Sequence, residues 1–330
     1  MKLATSTGDL AAYTATQADA IELISSAGFK YVDYNFGTDL SRKDGIYGSD
    51  FSAHCAEVLR RAEKLGVKLV QAHSPMGSPI APDNEEFCAL TAKCVEACGI
   101  WGIPNLVIHS GYRSGLTKEE CFLKNKEFFL PLLSLGEKWN VNILVENFNK
   151  MDVPGLYWVD NAPDLLELIE LVDHPLFHAV WDTGHANMQE MPQREAIGLL
   201  GSHVKGIHVH DNDGTGDTHL LPYLGTLSLD SVMQGLLDVG YEGWFTFEIG
   251  GIYAPADLRR PAENEKLRLP TKDMRLAMEK YLYQLGKSIL TEYGCFEEKI
   301  NSAPDSEMLL TEHSRQTMFA LTGKCCCLRQ

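Results

Sequence analysis

Short apolar runs alternate with longer amphipathic stretches along most of the chain. Eight such runs recur at fairly regular intervals, and each is followed by a stretch with apolar residues at helical spacing. The runs read KLATST, YVDYNF, KLVQAHS, NLVIHSG, NILVENF, FHAVWDTGH, VKGIHVHD and WFTFEIGG. Strands that alternate with amphipathic helices predict a parallel sheet covered by helices.

The number of strand–helix units favours a closed sheet. Eight units in about 290 residues fit a (β/α)8 TIM barrel. A doubly wound open sheet is the alternative, but it usually carries a glycine-rich phosphate turn after its first strand, and TGDLAAYTA contains none. We therefore predict an α/β fold with a TIM barrel over residues 1–292. Residues 293–330, where the periodicity is lost, are expected to form a C-terminal extension.

Two further segments carry expectations of their own. The loop GIYAPADLRRPAENEKLRLP, between the last strand and the last helix, is long and rich in proline and charge, as functional loops often are. Cys94 and Cys98 lie four apart in a helix-type stretch and are expected to pack as small hydrophobes. The nine cysteines form an odd set, which favours reduced thiols, and the final GKCCCLRQ has no zinc-finger spacing.

The charge balance changes which partners are expected. The 330 residues include 29 basic and 45 acidic side chains, a formal net charge of -16. Such a surface repels nucleic acids and anionic membranes, so neither is an expected partner. The start of the chain has no basic region followed by an apolar run, and no stretch approaches the roughly 18–20 apolar residues of a membrane span. We expect a cytoplasmic protein.

Ionisable side chains stand at the ends of six of the eight predicted strands. In chain order they are His73, His109, Glu146, Asp182 with His185, His208 with His210 and Asp211, and Glu248, while Asp217 and His219 follow in the loop after strand seven. The carboxyl ends of barrel strands meet at one rim, so these side chains are expected to converge there. A histidine alone at a strand end is usually a satisfied polar residue. Glu146 and Glu248 differ, because a carboxylate within an apolar strand must be paired, protonated or bound to a cation.

The residue types indicate a divalent metal ion. Two glutamates, an aspartate and a histidine form an oxygen-rich set suited to Mn²⁺ above all, or to Co²⁺ or Mg²⁺. If the other histidines also converge, the nitrogen content rises and Zn²⁺, as one ion or several, fits as well.

Five segments together resemble the xylose isomerase-like TIM-barrel superfamily, which includes sugar phosphate isomerases and epimerases and AP endonuclease family 2-type proteins. The segments are LVEN, WDTGHAN, HVHD, GDTHLLPYLG and FTFEIG, and the resemblance runs over about residues 1–290. As a set they are specific to the superfamily, but they do not identify one substrate.

The resemblance implies particular roles for the strand-end residues. In the ketose 3-epimerases of the superfamily a divalent ion is held at positions that match Glu146, Asp182, His208 and Glu248. The position of His185 contacts substrate in those enzymes. The two glutamates would remove and return a proton next to a carbonyl. His210 and Asp211 would then contact substrate or support the ligands, with His73, His109, Asp217 and His219 in the same group.

Two departures distinguish this chain from the ketose 3-epimerases. Those enzymes carry an arginine six residues after the metal histidine, where this chain has Gly214. They also carry a further glutamate soon after the first metal glutamate, where this chain reads FNKMDVPG.

Several functions stay open at this point. A metal-dependent isomerase or epimerase of a sugar, keto-sugar or polyol is favoured, with a homo-oligomer or a small partner subunit compatible with the sequence. A lyase could use the same proton abstraction, for instance in inosose dehydration or cleavage of an oxidised glycoside. An endonuclease IV-like zinc phosphodiesterase is the third reading, because His73, His109, Asp217 and His219 match its additional ligands. A barrel that only binds sugars would not require both Glu146 and Glu248.

Overall fold

Eight parallel strands close into a barrel in chain order, with the last strand hydrogen-bonded to the first. The computed structural model describes residues 1–149, 159–250 and 270–297. Its strands are β1 (Lys2–Ser6), β2 (Tyr31–Asn35), β3 (Lys68–His73), β4 (Asn105–His109), β5 (Asn142–Glu146), β6 (Phe177–Asp182), β7 (Val204–Val209) and β8 (Trp244–Phe247). The predicted (β/α)8 TIM barrel is confirmed.

Helices follow the strands around the outside of the barrel. In the described residues they are α1 (Gln17–Ala27), α2 (Phe36–Arg42), α3 (Phe51–Leu65), α4 (Glu85–Trp101), α5 (Lys118–Trp139), α6 (Ala162–Val172), α7 (Thr183–Asn187), α8 (Gln193–Leu200), α9 (Leu229–Asp238) and α10 (Lys272–Glu292). Eight of them coincide with the predicted helical stretches. The two additional helices, α2 and α7, begin directly where β2 and β6 end.

Side-chain caps explain these two helices. The Asn35 side chain accepts a hydrogen bond from the backbone N–H of Thr38 and so starts α2. Asp182 accepts one from the N–H of His185 and starts α7. Capping satisfies backbone donors that a helix leaves unpaired. The predicted runs YVDYNF and FHAVWDTGH therefore extended the strands too far, since Phe36 and Thr183 are already helical.

Strand periodicity separates the two faces of the barrel wall. Ile143 and Val145 of β5 belong to the large apolar core that includes the surrounding helices. Leu144, which alternates with them, forms a separate buried cluster with Val107 and Val180 of the neighbouring strands. Because side chains alternate along a strand, this cluster fills the inside of the barrel directly below the level of Glu146.

The remaining expectations divide between described and undescribed residues. Cys94 and Cys98 are buried in the core and unbridged, which confirms their predicted packing. The proline-rich loop lies outside the described residues, except for its last residue, Pro270. The extension beyond residue 297, which includes the cysteines of the final segment, also lies outside them. Within the described part of the chain, no helix combines the length and apolar character needed to cross a membrane.

Candidate metal centre

The predicted site residues converge at the carboxyl ends of the strands. They form three sets, in each of which one donor atom per residue lies within 4.8 Å of the others. The sets are Glu146, Asp182, His208 and Glu248; His73, His109 and Glu146; and His185, His210, Asp217 and His219. Glu146 belongs to two of them and therefore lies at the centre of the arrangement.

Glu146 is surrounded by imidazole rings. Its Oε1 lies 2.8 Å from Nδ1 of His208, while Oε2 lies 3.1 Å from Nε2 of His73 and 2.8 Å from Nε2 of His109. Burial alone would raise the pKa of Glu146, but the charge of His208 and hydrogen bonds from the three histidines hold it well below its usual range. Glu146 is therefore an ionised carboxylate in a buried position.

Glu248, directly after β8, is the more accessible of the two glutamates. Its side chain is 18% exposed, against 1% for Glu146. Its Oε2 lies 3.7 Å from Nδ1 of His208, the same nitrogen that faces Glu146. The two carboxylates thus meet at one nitrogen of one histidine.

The third set joins the end of β6 to the loop after β7. His185 and His219 place their Nε2 atoms 3.1 Å and 3.3 Å from Oδ2 of Asp217. His210 lies with its Nε2 3.1 Å from Oδ2 of Asp182, and its ring stacks on that of His219 at 3.8 Å. Burial would lower the pKa of His185, yet the charges of Asp182 and Asp217 raise it to about 10.

Asp211 lies apart from all three sets. Its carboxylate accepts hydrogen bonds from the backbone N–H groups of Asn212, Gly225 and Leu227. The backbone of Asp211 also pairs with that of Leu220. It therefore fastens the loop that carries Asp217 and His219, and its predicted role in contacting substrate stays a prediction.

Two buried side chains beneath the site were not among the predicted residues. Asp33 of β2 and Gln71 of β3 are each 1% exposed, and both contact His208. The sequence marks Asp33 in the same way as Glu146, because Asp33 is a carboxylate that interrupts the apolar run YVDYNF. No comparable signal marked Gln71.

Asn147, the last residue of the LVEN segment, fastens the end of β5 to the end of β6. It donates to the backbone carbonyl of Asp182 at 3.0 Å and accepts from the N–H of Asp182 at 2.8 Å. Its own carbonyl lies 2.9 Å from Nδ1 of His185. One residue, through its side chain and its backbone carbonyl, thus ties together two of the three sets.

A cavity of about 190 Å³ opens over the three sets. Its lining combines ligand-set residues with a few neighbours, namely Asn35, Gly37, His73, Ser74, Met76, His109, Glu146, Phe148, His185, Asp217, His219 and Glu248. Since ligand pockets usually start at about 300 Å³, this space suits a small molecule.

The hydrogen bonds of the histidines show that the donor set fits a metal ion. The Nδ1–H of His73 donates to the carbonyl of Ser74 at 2.7 Å. The corresponding groups of His185 and His219 donate to the carbonyls of Asn147 and Glu248. A carbonyl only accepts, so in each ring Nε2 is left to face the carboxylates of its set. Metal-binding histidines are usually fixed in this way.

Comparison with known proteins identifies the family of the chain. Residues 21–267 match the model of the family described as xylose isomerase-like TIM barrel. The chain belongs to this family. The resemblance seen in the sequence is thereby confirmed.

Two proteins are similar to this chain over part of their length. An uncharacterized protein of Methanocaldococcus jannaschii is 27% identical over 175 residues, which is 50% of this chain and 58% of that protein. The fructoselysine 3-epimerase of Escherichia coli O157:H7 is 34% identical over 95 residues, 29% of this chain and 34% of the epimerase. The chain therefore aligns with less than two thirds of either relative.

Solved structures share the fold across most of the chain. A D-tagatose 3-epimerase-like protein superposes with a TM-score of 0.68 at 18% identity, over 89% of this chain and all of that chain. An AP endonuclease of family 2 from Brucella melitensis gives a TM-score of 0.62 at 17% identity, over 78% of this chain and 96% of the other. At these identities the similarity establishes the fold alone.

Proposed function

We propose that this protein is a metal-dependent isomerase or epimerase of a sugar, keto-sugar or polyol. The observation that carries the proposal is the meeting of Glu146 and Glu248 at Nδ1 of His208, beside a cavity. Two carboxylates at one carbon allow one to remove a proton and the other to return it. The names of a relative and a structural neighbour, a fructoselysine 3-epimerase and a D-tagatose 3-epimerase-like protein, give independent support.

Glu146, Asp182, His208 and Glu248 would hold the ion. Three carboxylates and one imidazole suit Mn²⁺ best, with Co²⁺, Mg²⁺ and Zn²⁺ as alternatives. When bound, a divalent ion polarises carbonyl and hydroxyl oxygens and so eases removal of the neighbouring proton.

Three residues of the chain would carry out proton transfer and substrate binding. Glu248 lines the cavity and is partly exposed, so its carboxylate can reach a substrate carbon. Glu146 is kept ionised by its histidines and can take part as the second carboxylate. His185 also lines the cavity, and its Nε2 lies 3.1 Å from Oδ2 of Asp217. A substrate oxygen that gains negative charge would accept a hydrogen bond from this Nε2 in place of Asp217.

Proton exchange in D₂O tests the proposal. The metal-loaded protein is incubated with ketoses, 3-keto sugars and inososes, and carbon-bound deuterium is followed by NMR. We expect exchange with at least one substrate and its loss in Glu248→Gln.

Glu242→Gln, on the exposed turn before β8, is the matched control and should exchange as the wild type does. Exchange that is absent from every substrate, or undiminished in Glu248→Gln, overturns the proposal. Release of water or of an aglycone would identify a lyase instead.

A zinc phosphodiesterase is the second candidate, because two further ligand sets adjoin the first and one of them shares Glu146 with it. The net charge of -16 argues against a nucleic acid substrate. Metal content distinguishes the two candidates. One Mn²⁺ or Co²⁺ per chain supports the isomerase, whereas two or three Zn²⁺ with cleavage of DNA at abasic sites supports the phosphodiesterase. Absence of cleavage at any ionic strength removes the second candidate.

A further inference from the structure

A buried carboxylate stands on the far side of His208 from its ligand set. Nε2 of His208 lies 3.2 Å from Oδ2 of Asp33, while Nδ1 of the same ring lies 2.8 Å from Oε1 of Glu146. Asp33 and His208 are each 1% exposed. The ring is therefore held at both nitrogens by carboxylates from different strands.

An irregularity between β2 and β3 brings Gln71 next to Asp33. Val32 pairs with Leu69, but Asp33 pairs with Gln71, so Val70 is passed over. Such a bulge turns the following side chain toward a new direction. Gln71 consequently reaches the barrel interior, where its Nε2 donates to Oδ2 of Asp33 at 2.8 Å.

This arrangement differs from that of the other histidines of the centre. The outer nitrogens of His73, His185 and His219 donate to backbone carbonyls. That of His208 faces a carboxylate side chain instead, with Oδ2 of Asp33 at 3.2 Å and Nε2 of Gln71 at 2.9 Å. Packing does not account for the carboxylate, because Oδ1 of Asp33 has no hydrogen-bond partner among the described residues. A buried charge with one unpaired oxygen costs stability, and an apolar side chain of similar size would avoid that cost.

We propose that Asp33 is a positioning residue that prepares His208 to bind the metal ion through Nδ1. With an ion bound at Nδ1, the proton of the ring would lie on Nε2, and the Asp33 carboxylate, which can only accept, would be its acceptor. The negative charge also makes the ring a stronger electron donor. Gln71 fixes the orientation of the Asp33 carboxylate. The inference rests on the proposed function only in requiring a divalent ion at the set that contains His208.

Cobalt binding to the metal-free full-length protein tests this inference without any sugar substrate. Calorimetric titration measures the affinity and the number of ions, and the visible absorption of bound Co²⁺ reports its ligand geometry. Asp33→Asn keeps the shape of the side chain and removes its charge. Asp39→Asn is the matched control, since Asp39 is also a buried aspartate that contacts a ring side chain, Tyr34, but belongs to no ligand set.

In Asp33→Asn we expect one Co²⁺ per chain to bind about 10–100-fold more weakly than in the wild type, with a changed absorption spectrum. Asp39→Asn should keep the wild-type affinity and spectrum. A purely structural role for Asp33 would lower the melting temperature of the metal-free protein and leave affinity and spectrum unchanged, and that result overturns the inference.

The experiment also separates this inference from the proposed function. If the wild type binds no Co²⁺, the inference fails together with the metal part of the proposed function. If the wild type binds Co²⁺ and Asp33→Asn weakens it, the inference holds even where no sugar exchanges a proton. In that case only the isomerase proposal is lost.

Discussion

Asp9 and Ile249 are 240 residues apart in the chain and are joined by a hydrogen bond of 2.7 Å from the backbone N–H of Ile249 to Oδ2 of Asp9. Arg275 of α10 donates to the carbonyl of the same residue at 3.3 Å and 3.4 Å. The residue that follows Glu248 is thus held at both of its backbone groups. The end of β8 is thereby fixed to the loop after β1 and to the last described helix.

We expect Asp9→Ala to lower the free energy of unfolding by about 1–3 kcal/mol, because it leaves the buried N–H of Ile249 without its acceptor. It also takes an anion away from the buried guanidinium of Arg275. Urea denaturation at pH 8 measures the change. Asp213→Ala is the control, since Asp213 is an exposed loop residue whose recorded hydrogen bonds stay within its own turn. If both substitutions lower the free energy of unfolding equally and only slightly, Asp9 does not fix the end of β8.

The strand ends could be predicted from the sequence because two simple regularities applied to them. Alternating strands and helices place all strand ends on one rim, and a carboxylate inside an apolar run requires a partner. Together these were enough to select Glu146 and Glu248, and the structure brings both to His208.

Other parts of the site depend on irregularities that have no sequence signature of their own. Gln71 faces His208 because Val70 is passed over in the pairing of β2 with β3. A second irregularity, between Ala179 and Val180, shifts the pairing of β6 with β7 and sets which side chains of β7 point inward. Strict alternation cannot anticipate such a change of parity. Asp211 was similarly ambiguous, because an acidic residue after a strand can bind a ligand or hold a loop.

Gly184 in α7 lies against the His210 ring. A Cβ atom at this position would stand 1.9 Å from Cε1 of His210. We therefore expect Gly184→Ala to displace that ring and to destabilise the protein by about 1–3 kcal/mol. Thermal unfolding of the metal-free protein measures this effect.

Gly198 in α8 provides the opposite case for the same substitution. No atom of the described residues lies within 4 Å of the Cβ position there, and Gly198 is exposed. Gly198→Ala should stabilise the helix by about 0.4–1 kcal/mol. If Gly184→Ala and Gly198→Ala shift the melting temperature in the same direction, the His210 ring does not clash with a side chain at position 184.

Leu144 fills the barrel interior below Glu146 together with Val107 and Val180. Leu144→Ala removes apolar volume from a place that surrounding strands cannot easily refill, and we expect a loss of about 2–5 kcal/mol in the free energy of unfolding. The comparison variant is Leu123→Ala on α5, where the side chain is 52% exposed and the loss should be below about 1 kcal/mol. Similar losses in the two variants would mean that this part of the barrel relaxes around the missing side chain.

Asp39 should make the stability of the protein depend on pH. Burial raises its pKa from 3.8 to about 7, although hydrogen bonds from Tyr34 and from the N–H of Ile46 oppose the shift and nearby Asp44 adds to it. Between about pH 4 and pH 7 the folded state then holds a proton that the unfolded state has lost. The free energy of unfolding therefore falls as the pH rises through this window and levels off above it.

Asp39→Asn removes that contribution. Urea denaturation at pH 5 and pH 8 gives the decrease in the free energy of unfolding. It should be smaller in the variant than in the wild type by about 3 kcal/mol, since about two units of the pKa shift lie above pH 5 and each corresponds to about 1.4 kcal/mol. His54, whose Nε2 lies 3.7 Å from Oδ2 of Asp39, is present in both proteins and its own titration largely cancels in the comparison. Asp83→Asn makes the same chemical change at an exposed position and should keep the wild-type pH dependence. An undiminished decrease in Asp39→Asn would show that other groups carry the dependence.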